Sequence, residues 1–580
     1  MFTLLFPNMR NKQLIISALS LFSLLAIPAA VQAQTPAAPP KAPKNWFTKD
    51  PLQDSIPGAA SDKALKMLQA KGLKAKPVIV AVLDSGVEID HDDLKEVIWT
   101  NPGEIAGDGI DNDKNGYIDD VHGWNFIGGP KGNVNQENLE LAREYGRLHK
   151  LYKDADPHQL KGAAKKDYKH YLSVKSEFEQ SVKSAKDQKA ASTAYFNDIE
   201  KALGTVKTAL SIPTKDTLSP GNLETATKFQ DTIVAQAATL LQKVFKQGIK
   251  EQLLPKRREA AMARFDEMIN IQLNPDYDAR KIVGDNPEDL SNRFYGNNDY
   301  EGPDAGHGTH VSGIIAAKRN NGVGIDGVYD GAKIMVVRCV PNGDERDKDV
   351  ANAIRYAVDN GASVINMSFG KSLSPQKNYV DEAVRYAEEH DVLLVHAAGN
   401  NAENNDSVLH FPTDQYSKAY REGLFKKQNV ASNWLDVGAL NFLTDERRAA
   451  RFSNYGKAEV DLFAPGVQVT STIPDNKYAA FNGTSMATPV VAGAAAMLRS
   501  YYPELSAAQI KNILMNSAAK VDQMVIKPGT KDQKVPFSQL SVSGGIIDTH
   551  KAAELAAKTK APRKAPKSNW RKTATPNAVP

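Results

Sequence analysis

Several stretches of this chain are apolar with almost no alternation. Residues 77–87 read P-V-I-V-A-V-L-D-S-G-V, residues 363–370 read S-V-I-N-M-S-F-G, and residues 392–400 read V-L-L-V-H-A-A-G-N. Shorter runs stand at 435–440 and 460–463. A strand wetted on one face alternates apolar and polar residues, but a strand covered on both faces does not. These runs therefore predict strands of a largely parallel sheet with a helical layer on each side. Two further apolar stretches open on small residues, G-H-G-T-H-V-S-G before I-I-A-A at 306–317 and G-T-S-M-A-T-P before V-V-A-G at 483–493, and both predict helices. Pro489 sits early enough in the second to be tolerated. Ser-Asp at 61–62, ahead of A-L-K-M-L-Q-A, has the cap and spacing of a short helix.

Residues 134–292 have a different texture. They are rich in Lys, Glu, Ala and Leu, and segments such as N-L-E-L-A-R-E-Y-G-R-L-H-K-L-Y place apolar residues three and four apart, the spacing of amphipathic helices. Breaks at S-I-P-T-K-D and L-S-P-G-N predict helical hairpins. The fold expected is a three-layer α/β domain interrupted by a large α-helical insertion. The organisation expected is a signal peptide (1–33), a linker and N-terminal helix (34–75), the first part of the sheet domain (76–133), the insertion (134–292), the second part (293–555) and a basic Pro-rich tail (556–580). The signal is read from Arg10 and Lys12, the apolar stretch 14–30, and Val31-Gln32-Ala33, with cleavage after Ala33 and an uncleaved anchor as the alternative. About forty residues lie between Ala33 and Pro77, too few for a separate folding-assisting domain.

Three polar residues sit at the ends of the apolar runs, one closing a strand and two opening helices. Asp84 closes the first strand, at the end where open α/β sheets keep their sites, although a strand-end Asp is commonly a cap or turn residue. His307 lies between Gly306 and Gly308, three residues before His310; a metal pair is the alternative, but the H-E-x-x-H pattern and its glutamate are absent. Ser485 opens a helix, where backbone N–H groups point at any charge forming on a bound acyl group; an ordinary N-cap is the alternative. Acid, imidazole and alcohol together supply what acyl transfer needs, in the order Asp, His, Ser.

With A-V-L-D-S-G-V, H-G-T-H-V-S-G-I-I-A, N-M-S-F-G, A-A-G-N and G-T-S-M-A-T-P-V-V-A-G in this order, the chain resembles the subtilase family of secreted serine endopeptidases. The blocks cover roughly half of it. The resemblance implies a subtilisin-like fold, with Asp84, His307 and Ser485 catalytic and the Asn400 side chain donating to the oxyanion. Read alone, Asn400 is equally a Gly-Asn turn residue. The resemblance also implies that Ser368, Phe369 and Gly370 lie along the substrate and border the pocket for the residue before the cut. Protein and peptide substrates would then bind as an added strand, with broad specificity.

Before the insertion, residues 108–120 read D-G-I-D-N-D-K-N-G-Y-I-D-D. Asp111, Asp113, Asn115, Tyr117 (through its carbonyl) and Asp119 match the first ligand positions of an EF-hand-type calcium loop, with Asp108 or Asp120 completing the shell. His122 stands where a bidentate Glu belongs, and an Asx-turn hairpin without calcium is the alternative. A net charge of +4 over 580 residues gives no reason to expect nucleic acid or a membrane partner beyond the export signal, and that signal predicts a periplasmic or extracellular location. The one cysteine, Cys339, lies in an apolar run and reads as a buried residue. Two readings stay open for the insertion: a solvated helical subdomain, or an arm that docks a partner or gates the cleft. Two rivals to proteolysis also remain, a peptide binder that does not cut and a calcium-stabilised scaffold whose helical arm is the active part.

Overall fold

A computed structural model describes residues 40–422 and 426–562. The expected signal peptide at 1–33 and the tail beyond 562 lie outside the described residues. The chain divides into two units, one formed by the described residues up to 140 together with those from 278 onward, the other by 141–277.

The first unit is built on a nine-stranded sheet. Its strands are β1 (Val78–Asp84), β2 (Gly123–Asn125), β3 (Ala332–Arg338), β4 (Val364–Met367), β5 (Leu393–Ala397), β6 (Trp434–Leu440), β7 (Leu462–Pro465), β8 (Ala519–Lys520) and β9 (Gly545–Ile546). Across the sheet they run β8, β9, β7, β6, β5, β4, β1, β3, β2, and every pair is parallel except β8 with β9. The unalternating runs become the central strands because both faces are covered. Val78, Val80 and Val82 of β1 join one core with Val311, Ile314, Val490 and Val491, whereas Ala81 and Leu83 join another with Val350, Ile354, Val380 and Val384. On the first face lie α8 (Gly306–Ala316) and α11 (Thr484–Tyr501), and on the second α9 (Asp347–Asp359) and α10 (Lys377–Glu389). After β1 the chain goes to one side for β3 and to the other for β4, so Asp84 ends the strand where the winding direction reverses. Trp46 and Phe47, in the segment before α1 (Ser61–Ala70), are fully buried in the first core.

The second unit is helical. It contains α3 (Gly162–Ala209), 48 residues and so about 72 Å long, with α4 (Pro220–Thr227), α5 (Thr232–Lys246) and α6 (Leu254–Glu267). Ile199 and Val206 of α3 meet Leu223 of α4 and Val234, Leu241 and Val244 of α5 in a core of their own. Ser219 caps α4 in a capping box with Asn222, and Asp231 caps α5. The breaks read at S-I-P-T-K-D and L-S-P-G-N fall between α3 and α4 and at the start of α4.

Candidate active site

The carboxyl end of β1 brings Asp84 and His307 together across more than two hundred residues. Gly86 turns the chain at positive φ, where an added Cβ would overlap the Glu301 carbonyl. A Cβ at Gly308 would in turn overlap the Gly86 carbonyl, so only glycine lets the first turn of α8 settle on the loop after Asp84. His307 Nδ1 lies 2.7 Å from Asp84 Oδ1, which also accepts the Ser85 N–H at 2.8 Å. The Asp84 side chain is 2% exposed and that of His307 38%. Burial opposes charge on the imidazole, but the Asp84 carboxylate and its hydrogen bond, with Asp304 beyond, outweigh burial and raise the His307 pKa above its ordinary value.

Ser485 opens α11 against β4. Its Oγ donates to the Ser368 carbonyl at 3.1 Å, and Ser368 Oγ donates back to the Ser485 carbonyl at 3.0 Å. The second bond exists because of Pro489: having no N–H, it cannot donate to the carbonyl four residues earlier, which is that of Ser485. Asn366 Nδ2 donates to Ser368 Oγ at 3.0 Å and fixes that hydroxyl. No hydrogen bond joins Ser485 to His307 in this arrangement. Such bonds are often long in ligand-free sites and tighten with substrate. Phe369 and Gly370, which follow Ser368, are half-buried.

Asn400 is held by one end of its amide. Its Oδ1 accepts the Thr484 backbone N–H at 2.9 Å and the Thr484 hydroxyl at 3.1 Å. The Nδ2 is left as a donor, and Asn400 itself is exposed. His310 does not face His307: its Nε2 pairs with the Ala479 carbonyl at 3.1 Å, its ring stacks on Phe481 at 4.2 Å, and burial lowers its pKa to about 3. Cys339 is buried.

The loop at 108–120 gathers acidic groups differently from a plain reading of its spacing. Ligand oxygens of Glu104, Asp111 and Asp113 lie within 4.8 Å of one another. Glu104, seven residues before the pattern begins, has no signal in it; its Oε1 accepts the Asn112 and Asp113 N–H groups, and its Oε2 that of Asp119. Asn115 Oδ1 accepts the Tyr117 N–H. The Asp119 carboxylate accepts from Gly107 and Gly109, outside the Glu104 group. Asp120 binds Asn101, Asn115 and Tyr356, Asp108 accepts from Ile110, and His122 Nδ1 faces the Trp99 carbonyl at 2.8 Å. Burial pushes the Asp113 carboxyl up, with Asp111 adding to the shift. Three hard oxygen donors crowding together suit a calcium ion, which relieves their mutual repulsion.

Compared with known proteins, the chain matches the Subtilase family model over residues 75–539. It is 40% identical over 229 residues to a thermophilic serine proteinase of Bacillus sp. (strain AK1), a stretch covering 39% of this chain and 49% of that protein. It is 39% identical over 218 residues to subtilisin Savinase of Lederbergia lenta, covering 37% of this chain and 71% of that protein. With the cell wall-associated protease of Bacillus subtilis (strain 168) it shares 35% identity over 245 residues, 42% of this chain and 24% of that protein. The chain thus spans about half the length of the first of these relatives and less of the last.

Proposed function

The chain belongs to the subtilase family, and on that premise we propose that it is a serine endopeptidase cutting peptide bonds through an acyl-enzyme on Ser485. The observation that carries the reading is the 2.7 Å bond from His307 Nδ1 to buried Asp84. A carboxylate accepting from Nδ1–H keeps the proton on that nitrogen and leaves the Nε2 lone pair free to act as a base. Ser485 Oγ exchanges the Ser368 carbonyl for His307, gives its proton to Nε2 and attacks the substrate carbonyl carbon. The charge that forms on the carbonyl oxygen is met by the Ser485 N–H at the helix start and by Asn400 Nδ2. His307 then passes the proton to the leaving amine as the C–N bond breaks. A water, deprotonated by the same imidazole, releases the acyl group and regenerates the serine.

Ser368, Phe369 and Gly370 lie beside the nucleophile as the edge along which an extended substrate adds. Recognition through main-chain groups is open to any unfolded segment, hence broad specificity, with side-chain pockets adding bias. Glu104, Asp111 and Asp113, with Asn115 and the Tyr117 carbonyl in the same loop, are the groups assigned to a structural calcium, while the Asp119 carboxylate, expected among them, is held by Gly107 and Gly109 instead; when bound, the ion would neutralise the loop's carboxylates. Export rests on the signal read at 1–33; among the described residues no helix is long and apolar enough to cross a membrane. Docking of a partner or gating by the helical insertion is kept as its proposed role.

The test is a peptide library incubated with the wild type and with Ser485→Ala, with new termini read by mass spectrometry. Cleavage by the wild type alone is expected. Equal cleavage by both proteins, or none by either, contradicts the proposal.

A further inference from the structure

Behind the cleft lies a set of ionisable side chains that acyl transfer does not use. The parallel register of β5 with β6 makes His396 and Asp436 direct neighbours. His396 is 1% exposed, and its Nδ1 stands 2.6 Å from Asp436 Oδ1; Asp436 Oδ2 accepts Trp434 Nε1–H at 2.9 Å. The far edge of the His396 ring lies by the Phe369 backbone without a well-formed hydrogen bond. Against this fixed ring rests a second imidazole, that of His410, with 5.8 Å between centroids.

His410 is placed by backbone pairing. The next residue, Phe411, exchanges hydrogen bonds with Lys371 in both directions, at 2.8 and 2.9 Å. The pairing lays the His410 ring against Gly370, where an added Cβ would overlap Nε2, while a Cβ at Gly399 would come 3.3 Å from the same nitrogen. Gly370 ends the segment that starts at Ser368, and Gly399 precedes Asn400. Ser368 and Asn400 are both bonded to the first residues of α11, Ser368 to Ser485 itself and Asn400 to Thr484. The imidazole edge therefore lies between the two segments that flank the nucleophile. Half-buried, it has no hydrogen-bond partner among the described residues. Burial, with His396 beside it, lowers its pKa to about 3, so at neutral pH the ring is uncharged and offers one donor and one acceptor.

We propose that His410 is a specificity-determining residue, forming the floor of the pocket for the side chain before the cut and selecting a carboxamide, glutamine above all, over large aromatic side chains. The inference rests on the proteolytic reading. A primary amide carries both an acceptor and a donor and so pairs with Nε2 of a neutral imidazole in either tautomer, whereas an aromatic side chain leaves that nitrogen unpaired. His396 and Asp436, packed behind the His410 ring, keep it from retreating.

The experiment measures kcat/KM on peptides that differ only in the residue before the cut, Gln, Glu, Phe or Leu, for the wild type, His410→Ala and His410→Gln. The wild type is expected to favour Gln over Phe by about tenfold or more, the worth of one well-made hydrogen bond plus the lost fit. His410→Ala reverses that order, and His410→Gln, which keeps a donor and an acceptor, retains it; melting curves of the three proteins show that each is folded. Three results overturn the inference while leaving proteolysis standing: a wild type that prefers Phe or Leu, a preference for Glu over Gln, or a Gln-to-Phe ratio that His410→Ala leaves unchanged. No cleavage of any peptide, together with no modification of Ser485 by a fluorophosphonate, overturns both readings.

Discussion

Asn400 has one end of its amide committed and the other free, and that asymmetry is what a transition-state donor needs. With Oδ1 held by Thr484, Nδ2 cannot rotate away, so no reorganisation is required when charge appears. Asn400→Leu is expected to lower kcat by about 100- to 1000-fold, roughly 3 to 4 kcal/mol, the loss known for the amide donor in subtilisin, with KM little changed. Steady-state kinetics on a single peptide measures it. His307 gives a second handle. It acts as a base only when neutral, and Asp84 raises its pKa, so kcat/KM should fall as pH drops through a value above about 6.5, the ordinary imidazole value. Asp84→Asn removes the raising charge, and the acid limb of the pH profile should move down while the rate falls. These residues were legible because each stands at one end of an apolar run. His396, Asp436 and His410 were not, since they meet through strand register and one loop pairing, which leave no local pattern.

At the level of elements, the start of α11 is shaped by an internal proline. Because Pro489 leaves the Ser485 carbonyl without a helical partner, Ser368→Ala strands a carbonyl in a mostly buried site and should cost about 1 to 3 kcal/mol. In a Pro489→Ala background the new N–H can take that carbonyl, so the same change should cost less. Urea melts of the four proteins give the coupling, and strictly additive losses would contradict the account. The loop at 104–120 yields another expectation. Calcium should raise the melting temperature, a chelator should lower it, and Asp111→Ala should abolish the difference. A melt indifferent to both ion and chelator removes calcium from the description. The spacing of Asp111, Asp113 and Asn115 reads as the first half of an EF-hand-type calcium loop. The part played by Glu104 was not legible, because it arrives from outside the repeat and is held by backbone N–H groups.

Over the whole molecule, continuous apolar runs predicted the central strands because a strand covered on both faces need not alternate, and β1, β4 and β5 are such strands. The helical unit could be read as helices from its periodicity, but nothing in its sequence states its role, since amphipathic faces are satisfied by packing on one another. Its core is its own, formed by residues such as Val206, Leu223 and Leu241. Residues 141–277 expressed alone should therefore be helical and melt cooperatively by circular dichroism. If the unit gates the cleft, replacing it with a short Gly-Ser linker changes cleavage of folded proteins more than of short peptides; equal rates on both would rule gating out. The central claim is that Asp84, His307 and Ser485 act as one unit, and the most direct measurement is fluorophosphonate labelling located by mass spectrometry. The account predicts modification of Ser485 in the wild type and its loss in His307→Ala. An unlabelled wild type, or labelling of Ser485 that His307→Ala leaves unchanged, would contradict it.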